Sequence, residues 1–238
     1  MTEIIKIGNA YLVVNTIDFN SKTIILICPG GGYIMLSNRE ALPVATKFNM
    51  LGYNTAILYY SCKPLIPLDE GIDALKELSK KYDNIFVVGF SAGGHLAGYL
   101  GTNKEKYNLK GMILCYPVVS LYNHQDEESA VNLLGNDLSI ENRKKYSVEE
   151  RVDSNTVPCF IWTTIDDDDV PSINSIMLID KLKEHKVYYE SFLYPHGRHG
   201  LALADETAIV NNDLSFTDKE IAKWPDNANK FIKKILGI

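Results

Sequence analysis

The chain has 238 residues, 46% of them hydrophobic and 23% charged, which suffices for one α/β domain without disulfide or metal staples. A formal net charge of −6 argues against a nucleic-acid partner, and the one basic cluster, Arg143-Lys144-Lys145, lies among Glu141, Glu149 and Glu150 and reads as a solvated helix face. The four cysteines lack CxxC spacing, the N-terminus has no apolar leader and no apolar run can span a bilayer, so the expectation is a cytoplasmic protein with no membrane partner and no metal.

From the N-terminus onward, apolar runs rich in β-branched and aromatic residues recur at 12–17, 23–28, 54–60, 84–89, 111–119, 159–164 and 187–194. Most are unbroken rather than alternating, which predicts strands covered on both faces of a largely parallel sheet. Helical stretches separate them. Residues 39–51 place Leu42, Ala45, Phe48 and Leu51 on one side, and 69–82 place Ile72, Leu75 and Leu78 at three-residue steps. Residues 172–185 and 218–236 read the same way. This alternation predicts one three-layer α/β/α domain over residues 1–238 with a mostly parallel central sheet. The polar stretch 120–155 is too long for a simple connection and is expected to be a cap-like insertion with a helix or two of its own.

The first strand of the alternating series ends in Pro29-Gly30-Gly31-Gly32-Tyr33. Three glycines in a row cost backbone entropy and ask for a reason. No Gly-Lys-Ser/Thr follows, and neither the spacing nor the next strand fits a dinucleotide fingerprint. What remains is a nest of backbone N–H groups.

The partner of such a nest lies at 89–93, where Gly89-Phe90-Ser91-Ala92-Gly93 joins a β-branched strand to an Ala-rich helix. A serine on a sharp strand-to-helix turn sits in a strained backbone, and a Cβ two residues to either side would clash. The helix that follows aims its N-terminal dipole at the serine oxygen. In such a turn one oxyanion donor is the residue after the nucleophile and the others sit on the Gly-rich loop, which selects Ala92, Gly31 and Gly32.

An acid and then a histidine should follow the serine in chain order. The strand at 159–164 runs into Asp166-Asp167-Asp168-Asp169-Val170-Pro171. The run lacks the alternating ligands and the Glu of a calcium loop, and it reads as one buried acid plus residues capping the helix near Pro171. Composition alone does not choose among the four. Beyond the last strand lies Tyr194-Pro-His-Gly-Arg-His-Gly-Leu, where His199, followed by Gly200 and Leu201, is better placed as a base than His196. His185 is accounted for by the end of a helix, and His124 lies in the insertion.

The segments PGGGY (29–33), GFSAGGHLA (89–97), LLGND (133–137), FIWTTIDDDDVP (160–171) and GRHGLALA (197–204) together resemble the small microbial α/β-hydrolase esterases related to acetyl-xylan and other carbohydrate esterases. They span most of the chain in that family's order. The resemblance implies an acid in a D-x-x-V-P pattern, at Asp167, and a base followed by Gly-Leu, at His199. Two departures stand out: Pro29 replaces the usual leading His, and Thr163 occupies a position where relatives often have His.

The expected function is that of a serine carboxylesterase acting through Ser91, His199 and Asp167 and an acyl-enzyme, with no cofactor. The insertion is dense in Asp, Glu, Lys and Arg rather than apolar, so small water-soluble esters with short acyl groups, acetylated sugars among them, are the expected substrates. Nucleic acid is excluded as a partner, and a homodimer is left open. The rival readings are a serine peptidase of the same fold, which usually carries a gating domain, and a catalytically inactive binding module.

Overall fold

The computed structural model describes every residue except Gln125, and among the described residues it holds eight strands. They are β1 (Thr2–Ile7), β2 (Ala10–Asn15), β3 (Thr23–Cys28), β4 (Asn54–Tyr59), β5 (Asn84–Phe90), β6 (Leu109–Cys115), β7 (Cys159–Thr164) and β8 (Tyr189–Tyr194). Their order in one sheet is β1-β2-β4-β3-β5-β6-β7-β8. β2 pairs antiparallel with β1 and β4, and every pairing from β4 to β8 is parallel. The helices are α1 (Leu42–Met50), α2 (Ile66–Ser79), α3 (Ser91–Gly101), α4 (Glu127–Leu134), α5 (Ile140–Tyr146), α6 (Ile173–Glu184) and α7 (Trp224–Leu236).

The unbroken apolar runs have a direct cause. Ile24, Leu26 and Cys28 of β3 enter one core with Leu75 of α2, Leu96 and Leu100 of α3, and Leu178 of α6. Their neighbours Ile25 and Ile27 enter a second core with Phe48 of α1 and Trp224, Phe231 and Ile232 of α7. β5 and β6 divide the same way, Val87 and Leu114 facing the first core and Val88 and Ile113 the second. The interior strands therefore carry apolar side chains on both faces, as strands between two helical layers do.

Several boundaries depart from the pattern in the sequence. β1 is an additional edge strand, TEIIKI, in which only Ile7 is fully buried. The run at 111–119 stays in the sheet only to Cys115, because Tyr116 has φ 38° and Pro117 has no N–H to donate. The helix expected over 39–51 begins at Leu42; Arg39 and Glu40 lie on a preceding 3-10 turn, Asn38–Glu40. Leu42 is exposed, and the buried face of α1 is Val44, Ala45 and Phe48. The last helix starts at Trp224 rather than 218, since the Asp218 carboxylate caps a separate turn through the N–H groups of Glu220 and Ile221.

The 120–155 segment contains α4, α5 and a 3-10 turn, Glu149–Arg151. Arg143 grips the Glu127 carboxylate with two hydrogen bonds of 2.9 and 2.6 Å and also donates to the Leu121 carbonyl. No helix among the described residues is long and apolar enough to cross a membrane. Parallel pairing from β4 to β8 puts the C-terminal ends of β3, β5, β7 and β8 on one edge, where the turns carrying the candidate residues meet.

Candidate active site

β5 ends at Phe90 and α3 begins at Ser91, with no residue between them. Ser91 takes φ 51°, a left-handed conformation that costs a non-glycine residue about 1–3 kcal/mol. The turn closes because its flanking glycines carry no side chain. A Cβ on Gly93 would lie 2.2 Å from the Cys28 carbonyl oxygen and 2.3 Å from that of Pro29, and one on Gly89 would lie 2.2 Å from the Gly93 oxygen. Ala92 follows inside the first turn of α3, where N–H groups have no intrahelical acceptor.

His199 arrives from the loop after β8, and Asp167 from the turn after β7. His199 Nε2 lies 2.9 Å from Ser91 Oγ, and its Nδ1 lies 2.8 Å from Asp167 Oδ2. The Asp167 side chain is fully buried, and its other oxygen accepts the N–H groups of Asp169 (3.0 Å) and Val170 (2.9 Å). A carboxylate on Nδ1 keeps the proton there and leaves Nε2 free to accept from the serine. Burial of the ring opposes the imidazolium. The Asp167 hydrogen bond and charge, reinforced by Glu40 and Asp169, outweigh that and lift the His199 pKa above the ordinary 6.5.

The other members of the aspartate run do not cap α6 as expected. The N-cap of that helix is Ser172, with no side-chain bond. Asp166 is instead tied to His196 Nδ1 at 3.0 Å and to the Gly197 N–H at 2.8 Å, so His196 is a neighbour on the loop, exposed and away from Ser91. Thr163 is buried in β7 with its hydroxyl directed to the Thr164 carbonyl.

The Gly-rich turn after β3 is held on three sides. The Gly32 carbonyl accepts from Asn132 of α4 at 2.8 Å, and the Gly31 carbonyl accepts from Ile34 and Met35. The Gly30 N–H is occupied by Glu40 Oε2 at 2.8 Å, which leaves Gly31 and Gly32 as the glycines lining the cleft with Ser91. Tyr33 and Tyr60, at strand-end positions that suit either a pocket wall or burial against the sheet, are buried supports. Tyr60 donates to the Pro29 carbonyl, and Tyr33 contacts His95 Nδ1 at 2.9 Å. His95 Nε2–H donates to the Tyr146 carbonyl at 2.8 Å, joining α3 to α5, and burial pushes the His95 pKa down to about 4.

The cleft encloses about 520 Å³. The 120–155 segment contributes Asp126 and Glu128 to it, and the turn after β7 contributes Asp168 and Asp169. Three residues that pattern reasoning passed over line or support the site. Arg39 Nη1 donates to the carbonyls of Gly200 (3.0 Å) and Ala208 (2.9 Å), Glu40 is buried against the Gly-rich turn, and Tyr116 packs edge-on to the His199 ring at 5.0 Å between centroids. Arg39 and Glu40 were hidden by reading 39–51 as one helix, and Tyr116 by reading 111–119 as one strand. Among the described residues no group of three or more His, Cys, Asp and Glu side chains converges to hold a metal ion.

A mostly parallel sheet with a serine at the β5–α3 elbow, met by a histidine and an aspartate from the turns after β8 and β7, defines an α/β-hydrolase. The sequence profile of the prolyl oligopeptidase family matches residues 69–223, and the chain belongs to that family. It is 31% identical over 215 residues to endo-1,4-beta-xylanase B of Butyrivibrio fibrisolvens, a match covering 79% of this chain and 34% of that protein. It is 28% identical over 211 residues to the acetylxylan esterase of Xylanibacter ruminicola, covering 81% and 44% respectively. The chain thus spans less than half the length of these two curated relatives. Among solved structures, the acetyl ester-xyloside bifunctional hydrolase of Caldicellulosiruptor lactoaceticus superposes with a TM-score of 0.84 at 31% identity, covering 95% of this chain and 88% of that one.

Proposed function

We propose that the chain is a carboxylic ester hydrolase that cleaves small water-soluble esters with short acyl groups, O-acetylated sugars among them. In this reading Ser91 is the nucleophile, His199 the base and Asp167 its orienting acid. The observation that carries it is the unbroken contact Ser91 Oγ–His199 Nε2–His199 Nδ1–Asp167 Oδ2, at 2.9 and 2.8 Å. Ser91 attacks the ester carbonyl as His199 Nε2 takes its proton, and the tetrahedral oxyanion receives N–H bonds from Ala92, Gly31 and Gly32. Collapse expels the alcohol with the proton returned by His199, leaving an acyl group on Ser91 Oγ. Water, deprotonated by the same imidazole, then releases the acid and restores the serine.

The preference for short acyl groups rests on the carboxylates of Asp126, Glu128, Asp168 and Asp169 around the cleft, which would be poor company for a long alkyl chain. The names of relatives, acetylxylan esterase and acetyl ester-xyloside hydrolase, support the sugar-ester class. Membership of a family named for oligopeptidases keeps one second reading, cleavage of peptides by the same three residues. The substrate partner is a small molecule rather than nucleic acid. Four unpaired cysteines, three of them buried, support a reducing, cytoplasmic setting.

The test compares wild type with Ser91→Ala on p-nitrophenyl acetate, an acetylated xylo-oligosaccharide and a dipeptidyl anilide. The proposal predicts turnover of both esters, little of the anilide, and loss of all turnover in the variant. Wild-type turnover by Ser91→Ala would end it. Faster cleavage of the anilide than of the esters would favour the peptidase.

A further inference from the structure

Glu40 is 3% exposed, an expensive place for a carboxylate, and among the described residues it has no ion-pair partner. Two donors compensate it, one from each side of the site. The Gly30 N–H donates to Oε2 at 2.8 Å, and the Tyr116 hydroxyl donates to Oε1 at 2.7 Å. Tyr116 Oη in turn accepts the N–H of Ala202, three residues past His199, at 2.8 Å, while its ring stands edge-on to the imidazole. Glu40 thus joins the Gly-rich turn to Tyr116 through its two oxygens. It engages the Gly30 amide, so the next two glycines are the ones presented to the cleft.

Resting on the esterase reading above, we propose that Glu40 is a positioning residue: its carboxylate clamps the Gly-rich turn to the His199 loop through Tyr116, and its charge stabilises the imidazolium formed as Ser91 attacks. The ring of Tyr116, whose hydroxyl donates to Glu40, packs edge-on to the His199 imidazole at 5.0 Å, and Glu40 itself lines the cleft beside Ser91 and His199. The charged and titratable groups around His199 are Asp167, Asp168 and Asp169 from the turn after β7, Glu40 from the 3-10 turn before α1, Tyr116 after β6, and Ser91 at the elbow. Of the cations near the loop, Arg39 is engaged by the carbonyls of Gly200 and Ala208, and Arg198 is paired with Asp213. Glu40 is thus one of three carboxylates raising the His199 pKa.

The experiment measures kcat, KM and the pH profile of kcat/KM on p-nitrophenyl acetate for wild type, Glu40→Gln, Tyr116→Phe and Ser91→Ala, with active sites counted by fluorophosphonate titration. The amide in Glu40→Gln keeps the shape and removes the charge. Its kcat should fall roughly 10- to 100-fold with KM within about twofold. Its acidic limb should move to lower pH by roughly half a unit or more, because a base that has lost a neighbouring negative charge protonates less readily. Tyr116→Phe keeps the carboxylate and cuts the link to Ala202, so kcat should fall while the limb stays near its wild-type position. Wild-type kcat and an unmoved limb in Glu40→Gln, or a loss explained wholly by fewer titratable sites, overturns the proposal. Should Glu40→Gln fail to fold, wild-type kcat in Tyr116→Phe overturns it instead. Inactive Ser91→Ala beside an unaffected Glu40→Gln refutes the positioning role alone, whereas an active Ser91→Ala removes the esterase reading and this proposal together.

Discussion

Replacing Asp167 by Asn exchanges one oxygen for an NH2 group and, on the geometry described, reverses the imidazole. Asp167 Oδ1 accepts two main-chain N–H groups, from Asp169 and Val170, at 3.0 and 2.9 Å. In the Asp167→Asn variant the amide oxygen would keep that position, since an NH2 group there would oppose two donors. The NH2 then faces His199 Nδ1, which must become an acceptor, and the ring proton moves to Nε2. With Nε2 protonated, the nitrogen 2.9 Å from Ser91 Oγ no longer accepts the serine proton. A wrong tautomer of this kind costs about 10³–10⁴ in kcat, or ~4–5.5 kcal/mol of transition-state stabilisation. The turn after β7 keeps its two amide bonds, so the melting temperature should move little. Steady-state hydrolysis of p-nitrophenyl acetate, with circular dichroism to verify folding, measures both quantities. A loss smaller than about tenfold in a folded protein would refute the orienting role given to this carboxylate.

Three further outcomes follow from the same geometry. Because His199 must be neutral to take the Ser91 proton and its pKa is raised, activity should decline with falling pH through a midpoint above 6.5, and a pH–rate profile with its acidic midpoint below about 6 would contradict this. Gly93→Ala should destabilise the fold by about 3 kcal/mol or more and abolish activity, since its Cβ would sit 2.2 Å from the Cys28 oxygen; urea titration and turnover check it. Buried His95 resists protonation down to about pH 4, whereas the unfolded chain takes up that proton near 6.5. Stability should therefore fall as the pH drops through this window, by at most roughly 3 kcal/mol, and His95→Gln should lose this share of the pH dependence in urea titrations at about pH 7 and pH 5.

Much of this was legible in the sequence because certain residues are required by backbone geometry. The elbow needs Gly93 against the Cys28 and Pro29 carbonyls and Gly89 against the Gly93 carbonyl, and a Cβ at either position would not fit that approach. The interior strands carry apolar residues on both faces because helices cover both sides of the sheet, so β3, β5 and β7 were visible as runs. The edge was not: β1 buries Ile7 alone, and its remaining side chains meet solvent. Choosing Asp167 from four consecutive aspartates needed a resemblance to relatives, since the difference between it and Asp166 is which loop residue it faces, His199 or His196. Glu40 and Tyr116 gave no local signal. Their roles depend on contacts 76 and 86 residues away in sequence, which neither periodicity nor spacing records.

The claim beneath all of this is that Ser91 is made nucleophilic by the groups around it. Treatment with a fluorophosphonate followed by peptide mapping by mass spectrometry tests it without any assumption about the natural substrate. A single phosphonyl adduct on Ser91, in step with loss of esterase activity and absent from Ser91→Ala, is the predicted result. An adduct on another residue, or none in protein that still hydrolyses p-nitrophenyl acetate, would contradict it.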